Sequence, residues 1–354
     1  MKKPTINDVA AAAGVSRATA SRALSDYGRI SEDTRNLVKA AANKIGYTPN
    51  QVARSMRAGN TKTIGLVIIA DFTNVFFDRA TKGIVDTARA NGYEVLISNT
   101  DENLEVEREA IQTLLEKQVD GLIVVPSTAT VHDHLSTENR NNTPLVTIDR
   151  IVPGISATSI TTNDFESCEQ AVKEATNKNH TNMAFLIATS TVQEPQEEKP
   201  VLQNSTIEDR VNGFMSGIQE NKVKNSTWIF SPEKPAQAEE AVTTLLNRKN
   251  PPTIIFTSNN DMALAVLRTA NKLNKRIPED ISLVTVDDSQ WLEAIAPGIA
   301  VVERPVDELA KLAVEKLIEH INNKAKKPEK IVLPTNLLTR GSIKDLKANK
   351  EETR

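Results

Sequence analysis

The sequence predicts two fold classes in one chain: an all-α helix-turn-helix head, then an α/β body of doubly wound parallel sheets. Three observations carry this. Residues 5–24 hold two short segments with apolar faces around Gly14. From Thr63 onward, short aliphatic runs alternate with stretches of helical period. Charge divides between the two parts. Residues 1–60 carry ten Lys/Arg against four Asp/Glu, and this net of +6 in a chain of net -3 leaves -9 on the rest. A basic head on an acidic body points to a nucleic-acid partner for the head.

The first helix is expected from about Ile6 to Ala13. Thr5 is its N-cap, and Ile6, Val9 and Ala10 form its apolar face. Gly14 can take the positive φ that ends it. Ser16 then caps a second helix whose Ala20 and Leu24 turn inward. That leaves Arg17, Ala18, Ser21 and Arg22 outside. A major groove admits one such helix and is read from its N-terminal part. Arg17 or Arg22 could pair bidentately with guanine, while Thr5, Ser16, Thr19 and Ser21 suit phosphate contacts. Ser31 opens a third helix with Glu32 and Asp33 in its first turn and a stripe of Leu37, Val38, Ala41 and Ile45. Gly46 and Pro49 stop it. Residues 51–58 span only about two helical turns. They read either as a linker with helical bias or as a helix that forms only when docked on DNA.

In the body, Ile64–Ala70, Tyr93–Ser98, Gly121–Pro126 and Leu145–Asp149 read as strands, with helices at 75–91 and 103–118. A second unit has strands near 182–188, 226–230, 253–257 and 281–286. Its helices fall near 164–178, 207–221, 236–249 and 260–274. Ligands in open α/β sheets bind outside the carboxyl ends of strands. Those ends carry Asp71 to Phe77, Asp149–Arg150, Phe230, Asn259–Asn260 and Asp287–Asp288, and Arg210 lies early in a helix. Asp or Asn after a strand also caps helices, and Phe76 and Phe77 equally suit a core.

The chain resembles the lactose/galactose repressor family of bacterial transcription regulators. The resemblance rests on Thr5-Ile6, Asp8-Val9-Ala10, Ala13-Gly14-Val15-Ser16, Thr19 and Ser21-Arg22. Beyond the head it continues through Gly46-Tyr47-Thr48-Pro49-Asn50, Ala53-Arg54-Ser55 and Thr61-Lys62-Thr63-Ile64-Gly65-Leu66-Val67. It spans essentially the whole chain. It implies DNA contacts from the head, from Asn50, and from a hinge helix at 51–58 that includes Ala53 and Met56. The family inserts a leucine into the minor groove where this chain has Met56, itself a long apolar wedge. It implies two lobes resembling periplasmic sugar-binding proteins, an N-lobe of about 61–160 and 290–321 and a C-lobe of about 161–289 and 322–340. The implied crossings lie near 159–162, 287–291 and 320–325. By motif position, effector contacts map to Phe76, Phe77, Asp149, Arg210, Phe230, Asn259 and Asp287. The implied partners are a near-palindromic DNA operator, a second copy of the chain and a small molecule, most commonly a sugar or polyol, with a nucleobase or phosphorylated sugar acting as corepressor as the alternative. Residues 341–354 form a charged tail without the leucine-heptad extension of tetrameric members, so a homodimer is expected. Three departures fall in the second lobe. Asn260 stands where aspartate is usual, Asn179-His180-Thr181-Asn182 replaces a Gly-His-Arg turn, and residues 190–206 are long and polar.

Other classes are disfavoured. The thirteen glycines form neither G-x-G-x-x-G nor a P-loop, and no Ser/His/Asp arrangement is suggested by spacing, so no enzyme and no cofactor are expected. His132 and His134 have no Cys or acid cluster nearby in sequence to complete a metal set, and read as a loop pair. Cys168 is the sole cysteine, consistent with a reducing cytoplasm. No export signal or membrane span is apparent, which argues against a transporter's solute-binding protein.

Overall fold

The computed structural model describes residues 4–24, 29–47, 60–69, 74–127, 131–189, 204–231, 234–323 and 327–347. Asn50, Ala53, Met56, the hinge segment 51–58 and most of the 190–206 stretch lie outside the described residues. The chain divides into two compact units, Met1–Thr63 and Ile64–Arg354.

The head contains α1 (Ile6–Ala12), α2 (Arg17–Leu24) and α3 (Glu32–Ile45). The Thr5 N–H donates to the Asp8 carboxylate at 2.7 Å, closing the start of α1. Gly14 at φ 63 lets the chain turn. The Thr19 N–H then donates to Ser16 Oγ at 3.1 Å, which opens α2. Ser31 caps α3 in the same way, and Gly46 at φ 70 ends it. Val9, Ala10, Ala13, Ala20, Ala23, Val38, Ala41 and Ala42 form the core. Leu37, expected in the stripe of α3, is instead 53% exposed. The packing face is the 38–41–42 row, and Leu37 lies one step around the helix from it.

The body contains two six-stranded sheets. The first lobe has β1 (Thr63–Ile68), α4 (Val75–Ala90), β2 (Glu94–Asn99), α5 (Leu104–Glu116), β3 (Gly121–Val124), β4 (Leu145–Ile148) and β5 (Thr158–Thr162). The second has α6 (Asp164–Asn177), β6 (Asn182–Ala188), α7 (Ser205–Glu220), β7 (Asn225–Ser231), α8 (Pro235–Leu246), β8 (Ile254–Thr257), α9 (Asn260–Lys272), β9 (Ser282–Val286) and α10 (Gln290–Ala294). The chain then runs through β10 (Ala300–Glu303), α11 (Val306–Ile321), β11 (Lys330–Leu333) and β12 (Asn336–Leu338). Strand order is β11-β5-β4-β3-β1-β2 in one sheet and β12-β10-β9-β8-β6-β7 in the other.

Pairing corrects the expected lobe boundaries. β5 pairs with β4, so the first crossing follows Thr162. β10 pairs in parallel with β9 and belongs to the second lobe, so the next crossing falls at 303–306 rather than 287–291. β11 pairs with β5 in the first lobe, and β12 runs antiparallel to β10 in the second. The last crossing is therefore at 333–336. An isolated strand carries no signal of which sheet it joins, and only the pairing decides.

Each sheet is covered by helices that bury its aliphatic faces. α4 and α11 cover one side of the first sheet through Ile84, Ala88, Ala310, Ala313 and Leu317. In the second lobe, α6 and α7 pack so closely that a Cβ on Gly213 would stand 2.0 Å from the Phe165 carbonyl oxygen.

Candidate functional site

The carboxyl ends of the two sheets meet at one residue. Arg304 follows β10 and is 5% exposed. Its Nε and Nη2 donate to the two carboxylate oxygens of Asp287 at 2.6 and 2.8 Å, and its Nη1 donates to Asp149 Oδ1 at 2.6 Å. Its guanidinium carbon stands 3.6 Å from the centre of the Phe76 ring. Phe77 meets Phe76 edge-on at 5.1 Å. Burial alone would lower the Arg304 pKa, but the Asp287 and Asp149 charges outweigh it and raise it. Asp149 and Asp287 follow β4 and β9 at φ 69 and 71, a left-handed backbone that Asp tolerates.

Arg210, near the start of α7, is 4% exposed. Its Nε donates to Asp164 Oδ1 at 2.6 Å and its Nη1 to the Ser258 carbonyl at 2.7 Å. Its Nη2 is buried with no hydrogen-bond partner among the described residues. The same helix start reaches the first lobe, where Thr206 Oγ1 donates to the Asp149 carbonyl at 2.6 Å and Ser205 Oγ accepts the Ile151 N–H at 3.0 Å.

The remaining expected effector residues are placed differently. Asn259 caps α9 by accepting the Met262 N–H at 3.0 Å. Asn260 donates to the Asp287 carbonyl at 2.6 Å. Phe230 is 3% exposed within the second-lobe core, beside Phe185, Phe214 and Phe256. Sequence reasoning missed Arg304, Asp164 and the carboxylate of Glu102, which pairs with both terminal nitrogens of Arg150. An arginine directly after an aliphatic strand and before Pro305 was the available signal for Arg304.

A correction concerns His132 and His134. The acid that joins both rings comes from α5. Glu107 Oε1 stands 2.6 Å from His134 Nε2 and 3.4 Å from His132 Nδ1, and Oε2 accepts the Ser127 N–H. Burial pushes the Glu107 carboxyl up, but the neighbouring His132 and His134 imidazoles and the Ser127 N–H prevail and hold it at about 2. Cys168 is buried, which pushes its thiol up to about 12 and leaves it inert.

In the head, Thr5, Ser16, Arg17, Ala18 and Arg22 are exposed, and Thr19 and Ser21 are half-buried, around the start and outer face of α2.

A helix-turn-helix head joined to a two-lobed α/β body of this topology is the build of a DNA-binding transcription regulator with an effector-binding domain. The chain belongs to the lacI family of bacterial regulatory proteins. The model of that family matches residues 5–50, and the periplasmic binding protein-like domain matches residues 172–343. It is a transcription regulator and not an enzyme. The HTH-type transcriptional repressor PurR of Aliivibrio salmonicida is 28% identical over 344 residues, covering 97% of this chain and 99% of that one. Among solved structures, the lac repressor dimer bound to operator and the anti-inducer ONPF superposes with a TM-score of 0.81 at 22% identity, covering 97% and 100%. The transcriptional regulator CelR in complex with cellobiose gives 0.68 at 23% identity, covering 96% and 100%. No helix among the described residues is long and apolar enough to cross a membrane.

Proposed function

We propose that the chain is a cytoplasmic homodimeric repressor of a near-palindromic operator. In this reading a neutral polyhydroxylated molecule, a sugar or polyol bound between the lobes, sets its operator affinity. The observation that carries the reading is the buried, unpartnered Nη2 of Arg210 at the strand ends, since an unsatisfied buried donor is costly unless a ligand or water completes it. The charge around it favours a neutral ligand. Arg150, Arg210 and Arg304 stand among Glu102, Asp149, Asp164 and Asp287, with no excess positive charge for a phosphate. Asp149 and Asp287 accept hydroxyl donors, and the Phe76 and Phe77 rings cover apolar ring faces. The cellobiose complex of CelR agrees with this ligand class.

In the head, Arg17 and Arg22 read bases while Thr5, Ser16, Ala18, Thr19 and Ser21 line the backbone. Asn50, Ala53 and Met56 contact the minor groove from a hinge helix that folds on the operator. Dimerisation draws support from the edge strand β2, which exposes Leu96 and Ile97 at 38% and 41%, and from the dimeric state of the lac repressor complex. A ligand that shifts the lobes shifts the two hinges, and a coupling of about 1–3 kcal/mol changes operator affinity roughly 5–150-fold.

A thermal-shift screen of sugars, polyols, nucleobases and phosphorylated sugars tests the ligand class, because saturating ligand stabilises the folded state. Arg210→Ala is expected to abolish the shift from the hit while leaving ligand-free operator affinity intact. A full response in that variant removes Arg210 from the site, and a phosphorylated hit alone replaces the neutral-polyol reading. Arg22→Ala is expected to cost about 1–3 kcal/mol at one half-site position. A uniform loss across operator sequences makes Arg22 a phosphate contact instead.

A further inference from the structure

The cluster of Glu107, His132 and His134 lies in the first lobe, apart from the residues assigned to effector and DNA. One ligand atom from each residue lies within 4.8 Å of the others, and the three residues are buried at 0, 7 and 9% exposure. The three come from two separate segments, α5 and, beyond β3, the turn Asp133–Leu135 with its N-cap His132. We infer that they form a divalent transition-metal site, with Zn²⁺ its best-suited occupant.

The geometry is already close to that of a ligand set. Tetrahedral zinc ligands at Zn–N and Zn–O distances of about 2.0–2.2 Å stand roughly 3.3 Å apart. His132 Nδ1 is 3.4 Å from Glu107 Oε1, and that nitrogen has no hydrogen-bond partner. His134 Nε2, at 2.6 Å from the same oxygen, holds a hydrogen bond whose proton an ion would replace. A bound ion would draw the ligand atoms to that common spacing, and the His134 proton then resides on Nδ1. That second nitrogen is buried without a hydrogen-bond partner and stands 3.8 Å from the Asp133 carboxylate. The Asp133 carboxylate is itself fixed by Arg108. A metal-bound imidazole backed by a carboxylate is the usual outer arrangement of zinc histidines. The other carboxylate oxygen of Glu107 is held by the Ser127 N–H, and Ser127 Oγ is buried without a partner among the described residues. A water in the fourth coordination position would give it one. Two imidazoles and a carboxylate make a set suited to zinc, which also binds in catalytic and regulatory sites with three protein ligands and one water.

The sequence makes the test specific. The chain has four histidines and one cysteine. His180 uses both ring nitrogens, with Thr253 Oγ1 and the Lys344 carbonyl, and His320 Nε2 is paired with Thr158 Oγ1. The experiment uses the full chain, stripped with EDTA, then titrated with Co²⁺ and with Zn²⁺. The expected result is one Co²⁺ per chain, with the visible d–d absorption of a tetrahedral site that Zn²⁺ abolishes. X-ray absorption of the zinc form is expected to show two imidazoles and no sulfur. The His132→Gln/His134→Gln double variant is expected to lose the Co²⁺ band while its circular dichroism stays that of the parent. No retained metal, a zinc shell with fewer than two imidazoles, or a band that persists in the folded double variant overturns the site. If the double variant does not fold, the zinc shell of the unaltered chain decides alone.

Discussion

The two lobes repeat one strand order and part company at the ends of equivalent strands. Asp149 and Asp287 occupy matching places after β4 and β9, and each donates its N–H across to the next strand, to Ile160 and Val302 respectively. Two residues beyond those acceptors the second lobe has Arg304, whereas the first has Thr162, whose hydroxyl donates to Asp164. The duplicated scaffold thus supplies two carboxylates, and a single unduplicated arginine binds both. The ionic contact between the lobes thus rests on an asymmetry within a near-symmetric frame. The outermost strands differ too, because β11 is parallel to its neighbour and β12 antiparallel.

The sharpest way to break this comparison is Arg304→Met. It leaves two buried carboxylates without their counter-charge, and removing one partner of such a buried network costs about 3–5 kcal/mol. A large fall in melting temperature is expected, and an unchanged value would mean the carboxylates find other partners. Asp287→Asn and Asp149→Asn refine it. Asp287 takes two of the three hydrogen bonds, so its variant should lose more stability than that of Asp149, measured by urea unfolding.

Acid separates the lobes next. Burial of His180, in the second lobe, lowers its pKa to about 4 from 6.5. The unfolded chain therefore binds the proton first. Stability from this group is complete above about pH 6.5 and is lost as pH falls toward 4, in total on the order of 3 kcal/mol. Hydrogen exchange across that window should show β6 and its neighbours losing protection before β3 and β4. The reverse order would show that His180 does not govern the second lobe's acid stability.

The smallest effect concerns helix pairs. A Cβ at Gly213 meets backbone at 2.0 Å, whereas at Gly83 it meets the Ala310 side chain at 2.7 Å. Gly213→Ala should cost about 1–3 kcal/mol. Gly83→Ala should cost less, because α4 and α11 can part slightly and alanine favours the helix. Thermal unfolding of the two variants side by side checks the order.

Legibility in the sequence followed the range of the interactions involved. The head was readable because Thr5, Gly14, Ser16 and Ser31 act within a few residues of themselves. The aliphatic strands β6, β8 and β9 were readable as buried runs. β5 was not, because Thr158-Ser159-Ile160-Thr161-Thr162 looks like a polar connector, yet every residue of it is buried. Its Thr158 hydroxyl is satisfied by His320 and Glu329, far along the chain. Arg304 and Glu107 escaped notice for the same reason. Asp149 lies 155 positions from Arg304, and His134 lies 27 from Glu107, so nothing local reveals either meeting.

The way the chain ends its two sheets bears on how the protein is made. β11 and β12 are neighbours in sequence but finish different lobes, and Ser342 then clips the second sheet by donating to the Leu283 carbonyl. A ribosome must therefore read almost the whole body before either sheet is complete. The head, whose core is built from residues between Val9 and Ala42, can fold long before. A nascent chain would thus carry a finished DNA-binding module while its controlling domain is still being synthesised, and any truncation upstream of residue 330 would strip an edge strand from both lobes at once.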